Sequence, residues 1–369
     1  MIKILFLIHD LGQGGAEKVL INLVNNMDSK QFDITVMALF GGGVNEPFLA
    51  SHVRYVVCHG RMMRGNSQLM KLCSPKQLHN RYIKEVYDVE ISYLEGPCAR
   101  MISGCPHENT KLISWIHVAQ HTMRDLAYAF RSAREARSCY NRFDRTVCVS
   151  QGVREDFCRI LDFAKPCSVL YNTVESDKIL QGAAEPVPTM QEDGRIRLIA
   201  VGSLKPVKGY DRLLRITKRL HTEGYGIHLY ILGIGPLQRD LERYIREEGL
   251  TEAVTLLGYD TNPYKYLANC DLFLCASHAE GFSTAATEAL IVGTPVCTVE
   301  VAGMKELLGE QNEWGMVTEN DEGALYQGIK SLLDNPDLLS HYKKQAEIRG
   351  KSFCTEPTVK AVESFLLGL

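Results

Sequence analysis

The sequence has no run of about 20 apolar residues, the length a helix needs to cross a bilayer. Its opening apolar stretch, Ile4 to Ile8 in MIKILFLIHD, is too short for a signal-peptide core and lacks a small-residue cleavage site. It reads as a first buried strand. A cytoplasmic location is expected, with attachment to the inner face of the plasma membrane left open. Twelve cysteines are present, yet none forms a CxxC pair. Most sit in apolar strand patterns, such as Cys148 in RTVCVS and Cys275 in DLFLCAS, and read as buried reduced thiols. There is no low-complexity tract, heptad array or solenoid repeat. No DxD motif occurs, and no bound metal is expected. The net charge is only −3, and no nucleic-acid-binding module is recognisable.

At 369 residues the chain exceeds the roughly 250–300 at which single cores stop growing, so two domains are expected. In the first half, apolar strand patterns alternate with helical ones. IKILFLI is followed by a glycine-rich turn and then AEKVLINLVNNM, apolar at helical spacing. Residues 173–194 are polar, with Gly and Pro, and read as a linker. The alternation then restarts with IRLIAVGSL, IHLYILGIG, VTLLGY, DLFLCAS and TPVCTVEV. Continuous apolar strands alternating with helices imply parallel sheets covered on both faces. The expected fold is α/β, with two tandem Rossmann-like, doubly wound domains facing a deep cleft. Their boundaries are placed at 1–172 and 195–354, with residues 355–369 packing back on the first domain. Residues 1–172 carry 21 Lys+Arg against 16 Asp+Glu, and the remainder 20 against 28. A basic first half suggests an anionic partner there.

Candidate chemistry concentrates in EGFSTAATEAL, directly after the strand DLFLCAS. Glu280 falls in the loop at that strand's carboxyl end. A helix is predicted to start at Ser283 or Thr284, both good N-cap residues. Small side chains there leave first-turn amides open to a phosphate. Glu288 falls on the second turn, where a carboxylate can accept hydrogen bonds from ribose hydroxyls. The competing reading is a capped helix with an exposed glutamate. The apolar context ATEALIVGTPV argues against it, because a buried polar group without partners costs on the order of 2–7 kcal/mol. Upstream, VGSLKPVKG places Lys208 at a loop-to-helix transition where it can neutralise a diphosphate, or simply be a solvated surface lysine.

Taken together, EGFSTAATEA with its E-x7-E spacing, VGSLKPVKG, LYILGIGPL and the N-terminal GQGGAE resemble the GT-B glycosyltransferases of family 4. EGFSTAATEAL and AGMKELLG look most like those of bacterial surface-polysaccharide synthesis. The resemblance implies a retaining transferase that contacts the donor sugar through Glu280 and the ribose through Glu288. It implies a phosphate-binding turn at Phe282, Ser283, Thr284 and Ala285, with Lys208 on the diphosphate. Gly14 and Gly15 match a loop that approaches donor phosphate and acceptor. His117 matches a histidine beside the reacting sugar; its alternative is a capping or core histidine. Ser203 stands where the family usually has an arginine, so one diphosphate cation is missing or comes from elsewhere, Lys205 being a candidate by position. UDP is the expected nucleotide, with GDP second, and no cofactor is expected.

The implied acceptor is a glycan or lipid-linked intermediate held by the first domain. The segment RMMRGNSQLMKLCSPKQLHNRYIK contains Arg61, Arg64, Lys71, Lys76, Arg81 and Lys84 and no acid, interleaved with Met and Leu. With Arg124, Arg131, Arg134 and Arg137 it could meet an anionic membrane surface. It reads equally as a solvated basic helix with its methionines packed inward. A dinucleotide oxidoreductase does not fit, because GQGGAE is not GxGxxG. A GT-B-like sugar-nucleotide epimerase and an inactive sugar-nucleotide-binding module remain as alternatives.

Overall fold

A computed structural model describes residues 1–12, 14–60, 65–161, 165–187, 190 and 193–369. The chain divides into two compact units, Met1–Thr173 with Thr355–Leu369, and Val174–Cys354.

The first unit is built on a seven-stranded sheet. Its strands are β1 Ile2–Ile8, β2 Phe32–Phe40, β3 Arg54–His59, β4 Val89–Ser92, β5 Lys111–Ile116, β6 Arg145–Cys148 and β7 Cys167–Val169. Their order is β3-β2-β1-β4-β5-β6-β7, and every pairing is parallel. The second unit has six strands: β8 Ile196–Val201, β9 Ile227–Leu232, β10 Val254–Gly258, β11 Leu272–Cys275, β12 Val296–Val299 and β13 Met316–Thr318. The order is β10-β9-β8-β11-β12-β13, again parallel. Apolar runs form these strands because both faces are covered. All six residues of β9 are buried, and so are the last five of β1. Amphipathic helices supply the cover. Tyr210–Thr222 buries Tyr210, Leu213, Leu214, Thr217 and Leu220, one stripe at helical spacing.

In each sheet the winding reverses beside the first strand, between β1 and β4 and between β8 and β11. Chain leaving these neighbours departs in opposite directions, so a crevice opens at their carboxyl ends, the usual ligand position in open α/β sheets.

Two details matter for the domain reading. Residues 173–194 are not simply a linker. Ser176–Ala183 form a helix in the second unit, with Ile179 buried in a small cluster with Val174 and Ile291. Its apolar residues are few and flanked by Gly, Ala and Pro, which hid the periodicity. The helix Thr355–Leu367 belongs to the first unit, where Glu363 Oε1 accepts a hydrogen bond from the Asp28 amide at 2.7 Å. Among the described residues no helix is long and apolar enough to cross a membrane.

Candidate active site

The second unit brings its candidate residues together at the β8/β11 reversal. The chain leaves β8 through Gly202 and Ser203 and makes a single 3-10 turn at Pro206–Lys208. Gly209 follows in the left-handed region at φ 65°, where a Cβ atom would lie 2.1 Å from the Ala276 carbonyl oxygen. Only glycine lets the β8 loop press against the end of β11. The His278 amide donates to the Val207 carbonyl at 2.7 Å and fastens the two loops.

That approach carries Lys208 to Glu280. Lys208 Nζ donates to Glu280 Oε1 at 2.6 Å, and Ser277 Oγ donates to the same oxygen at 2.6 Å. The side chains of Lys208 and Glu280 are 27% and 12% exposed. Burial alone would lower the lysine's pKa, but the Glu280 carboxylate outweighs it and holds it above the ordinary value. Both bonds end on Oε1, which leaves Oε2 aimed at neither. Ser277 was not anticipated from the sequence. It is fully buried, and only its place three residues before Glu280 hinted at the contact.

Three residues on, Ser283 caps the helix Thr284–Ile291, its Oγ accepting from the Ala286 amide at 3.3 Å. Phe282 is buried beneath the turn, while Thr284 and Ala285 are half-buried. The amides of these first helical residues have no acceptor inside the helix and face outward as donors. Glu288 lies one turn beyond Thr284, on the same face, and is only 4% exposed. It is not a solvated surface glutamate. Gly303, at φ 78°, packs against this turn; a Cβ there would meet the Gly281 carbonyl at 2.6 Å. Ser203 is half-buried beside the β8 terminus, and Lys205 is exposed.

The first unit gathers a second set at the β1/β4 reversal. Gly14 caps the helix Gly15–Asn26, so Gly14 and Gly15 stand at a helix N-terminus directly after β1. Asp10 shapes the preceding turn, accepting from the Gly12 amide at 2.7 Å and pairing with His9 Nδ1 at 2.7 Å. Asn45 Nδ2 donates to the Gly12 carbonyl. His117 follows β5. Its amide and that of Val118 donate to Glu95 Oε1 at 2.5 and 3.0 Å. The imidazole is 7% exposed, packs 4.7 Å from the Tyr93 ring, and its Nε2 has no hydrogen-bond partner. Burial pushes its pKa down to about 3, so the ring is neutral at physiological pH. A neutral imidazole can exchange a hydrogen bond with a hydroxyl but brings no charge. Trp115 Nε1 and Tyr93 Oη, in the same aromatic cluster, are likewise buried without partners.

The basic residues behave differently. Arg131 donates to the carbonyls of Lys71 at 2.5 Å and Leu72 at 2.9 Å. Arg137 caps the carbonyls of Leu161 and Ile160. These guanidiniums hold backbone, which a count of charges could not reveal. Arg124 is exposed and Lys71 half-buried, next to exposed Leu69 and Leu72. Arg61 and Arg64 lie outside the described residues. Among the described residues neither strand-end set assembles three metal-ligating side chains.

The comparisons with known proteins follow this division. The model of Glycosyltransferase Family 4 matches residues 13–178, and that of Glycosyl transferases group 1 matches residues 186–349. The Campylobacter jejuni N-acetylgalactosamine-N,N'-diacetylbacillosaminyl-diphospho-undecaprenol 4-alpha-N-acetylgalactosaminyltransferase is 29% identical over 100% of both chains. Anabaena Alr3699/HepE, solved with UDP and glucose, superposes with a TM-score of 0.80 at 20% identity over 100% of both chains. WaaG, a glycosyltransferase of lipopolysaccharide biosynthesis, does so at 0.76 and 14%, over 99% of this chain and 100% of its own. At such identities the superpositions establish the fold. With a glycosyltransferase model on each half and this fold over the whole length, the chain belongs to the family 4 glycosyltransferases of the GT-B fold.

Proposed function

We propose that this glycosyltransferase moves a hexose or N-acetylhexosamine, with retention of configuration, from a UDP-sugar to a hydroxyl of a lipid-linked or polysaccharide intermediate in surface-polysaccharide synthesis. One observation carries the donor assignment: the Lys208–Glu280–Ser277 tether stands beside a capped helix whose second turn buries Glu288. In this reading Glu288 accepts the ribose hydroxyls and the amides of Ser283, Thr284 and Ala285 meet the diphosphate. Lys208 neutralises charge as the diphosphate departs, and Glu280 Oε2 takes the sugar hydroxyls. Oriented donors at developing charge supply the acceleration, with no protein nucleophile and no metal at the diphosphate. UDP is favoured by the superposition on a protein solved with UDP.

In the first unit, Gly14, Gly15 and the neutral His117 are assigned to the reacting sugar and acceptor. The unpartnered Nε2 of His117 suits a hydroxyl. The relative matched end to end bears a diphospho-undecaprenol acceptor in its name, which favours a lipid diphosphate here too. The excess of basic residues in 1–172 is of the right sign for it. Contact with an anionic membrane at the cytoplasmic face, through Arg61, Arg64, Lys71, Arg124 and Arg131, belongs to the same proposal, though Arg131 is already committed to backbone carbonyls.

Calorimetry with UDP, GDP and ADP, on wild type and Glu288→Ala, tests the reading. UDP should bind in preference, and the variant should lose about tenfold or more, since a charged hydrogen-bond partner contributes roughly 1.5–3 kcal/mol. Equal binding by the variant would remove the ribose role. Ser203 favours a second reading, a module that binds donor without turnover. UDP-sugar binding with no transfer to any lipid-linked acceptor would select it, and epimerised donor formed without acceptor would select an epimerase.

A further inference from the structure

A separate cluster lies in the first unit, toward the amino-terminal end of β4 and so away from the carboxyl-end residues described above. Glu90 is the second residue of β4, paired in register with Leu5 and Leu112, and has no solvent exposure. An apolar side chain would be the cheaper choice there. His79, on the helix Pro75–Tyr82, places Nε2 2.8 Å from Glu90 Oε2. Cys105, in the loop before β5, places Sγ 3.6 Å from Glu90 Oε1. All three are buried, and one ligand atom from each falls within 4.8 Å of the others.

We propose that His79, Glu90 and Cys105 form a binding site for a divalent transition-metal ion of the zinc class, with a structural role. Thiolate, imidazole and carboxylate together suit zinc or cobalt and disfavour calcium and magnesium, which take oxygen ligands. Ligands at zinc distances stand about 3.3–3.6 Å apart around a tetrahedral ion. The Sγ–Oε1 separation already has that value, whereas His79 Nε2 lies against the other carboxylate oxygen, Oε2, and must draw back from it by about half an ångström to admit an ion. Without an ion the cluster is poorly satisfied. His79 Nδ1 is buried with no partner, and a buried ion pair of this kind is often no better than apolar packing. An ion entering as M²⁺ displaces two protons, one from the thiol and one from the imidazolium–carboxylate pair, so the buried net charge is unchanged.

The surroundings are shaped for this approach. Gly104 lies against the start of the His79 helix, where a Cβ would meet the Pro75 carbonyl oxygen at 2.1 Å. Arg142 holds the same loop from outside, donating to the carbonyls of Ser103 at 2.6 Å and Cys105 at 2.9 Å. His107, two residues on and exposed, sets its ring edge-on to His79 with centroids 6.4 Å apart. A small swing makes it a fourth ligand and gives the ion an entry path. The bound ion ties helix, strand and loop together, a staple remote from the transfer chemistry. For Cys105 this replaces the sequence expectation of an inert thiol.

The test uses the full chain freed of any polyhistidine tag. It is stripped with chelator and titrated with Co²⁺, with zinc content measured before stripping. One equivalent should bind, with visible d–d bands and a thiolate charge-transfer band. Cys105→Ser should abolish that band, and His107→Ala should keep it while weakening binding about tenfold. No cobalt spectrum in the wild type, or a charge-transfer band that survives Cys105→Ser, overturns the site. Should Cys105→Ser not fold, zinc-edge absorption of the wild type decides. One sulfur among nitrogen and oxygen ligands supports the proposal, and none or several refute it.

Discussion

In the proposed reading Lys208 and Glu280 make opposite demands on one ligand, and that separates two roles for the lysine. Its ammonium donates to Glu280 Oε1 at 2.6 Å. If it serves the diphosphate, UDP must draw it partly from the carboxylate. Lys208→Met then removes a charge-assisted contact worth roughly 1.5–3 kcal/mol, weakening UDP by about 10- to 150-fold. Glu280→Gln removes the competitor and keeps the lysine. It should leave UDP binding unchanged or several-fold tighter, since UDP has no sugar for Glu280 to hold, while transfer from UDP-sugar collapses. Calorimetry with UDP and a radiolabelled transfer assay read the two effects separately. Ser277 still anchors the residue at position 280 through its hydroxyl, so the variant keeps a hydrogen bond there. Should Lys208→Met bind UDP as tightly as wild type, the lysine only positions Glu280. Should both variants weaken UDP alike, the pair acts as one unit and the division of labour is wrong.

Further outcomes follow from the same geometry. Ser203→Arg, restoring the cation of the resembled motif, should tighten UDP binding by about tenfold, seen by titration; no change would mean that position does not face the diphosphate. Gly209→Ala meets both a left-handed backbone and a carbonyl 2.1 Å from its new methyl, so urea denaturation should show a loss of at least about 2 kcal/mol. His117 has a folded pKa depressed to about 3 against an ordinary 6.5, so the folded state binds fewer protons than the unfolded one. Its contribution to stability is complete above pH 6.5 and declines as pH falls toward 3. Relative to His117→Gln, wild type should lose about 2 kcal/mol between pH 6.5 and 5, measured by denaturation at each pH.

Much of the second unit could be read ahead. Strands such as IHLYIL are continuous apolar runs, and a parallel sheet covered on both faces is their simplest home. Ser283 was legible as a cap because a side-chain oxygen before a run of alanines has a local function. The burial of Glu288 was legible from its apolar neighbours. What stayed hidden depends on contacts across sequence. Lys208 and Glu280 are 72 residues apart, and Glu95 reaches the amides after β5 across 22 and 23. Sequence patterns identify side-chain types and strand ends, but not which oxygen a lysine will choose. Arg131, an exposed charge, also binds two backbone carbonyls, which its place in the sequence did not reveal.

The departure at Ser203 gains weight from these contacts. In the proposed reading a neutral hydroxyl there cannot share the diphosphate charge, and Lys208 is the cation bound to Glu280. Donor affinity would then lean on the first-turn amides after Ser283 and on the Glu288 carboxylate at the ribose, neither of which depends on a free cation. Amides fixed at a helix N-terminus need no reorganisation when charge develops on the departing diphosphate, whereas the lysine must be released first. Release is easiest when Glu280 has somewhere else to bond. In the proposed reading, sugar hydroxyls at its Oε2 would provide that, and the sugar itself would make the cation available to the phosphate. Binding of UDP alone would gain nothing from this exchange, and binding of the intact donor would. Such a coupling would direct Lys208 toward the diphosphate when a sugar is attached to it, which is when departing charge needs to be stabilised.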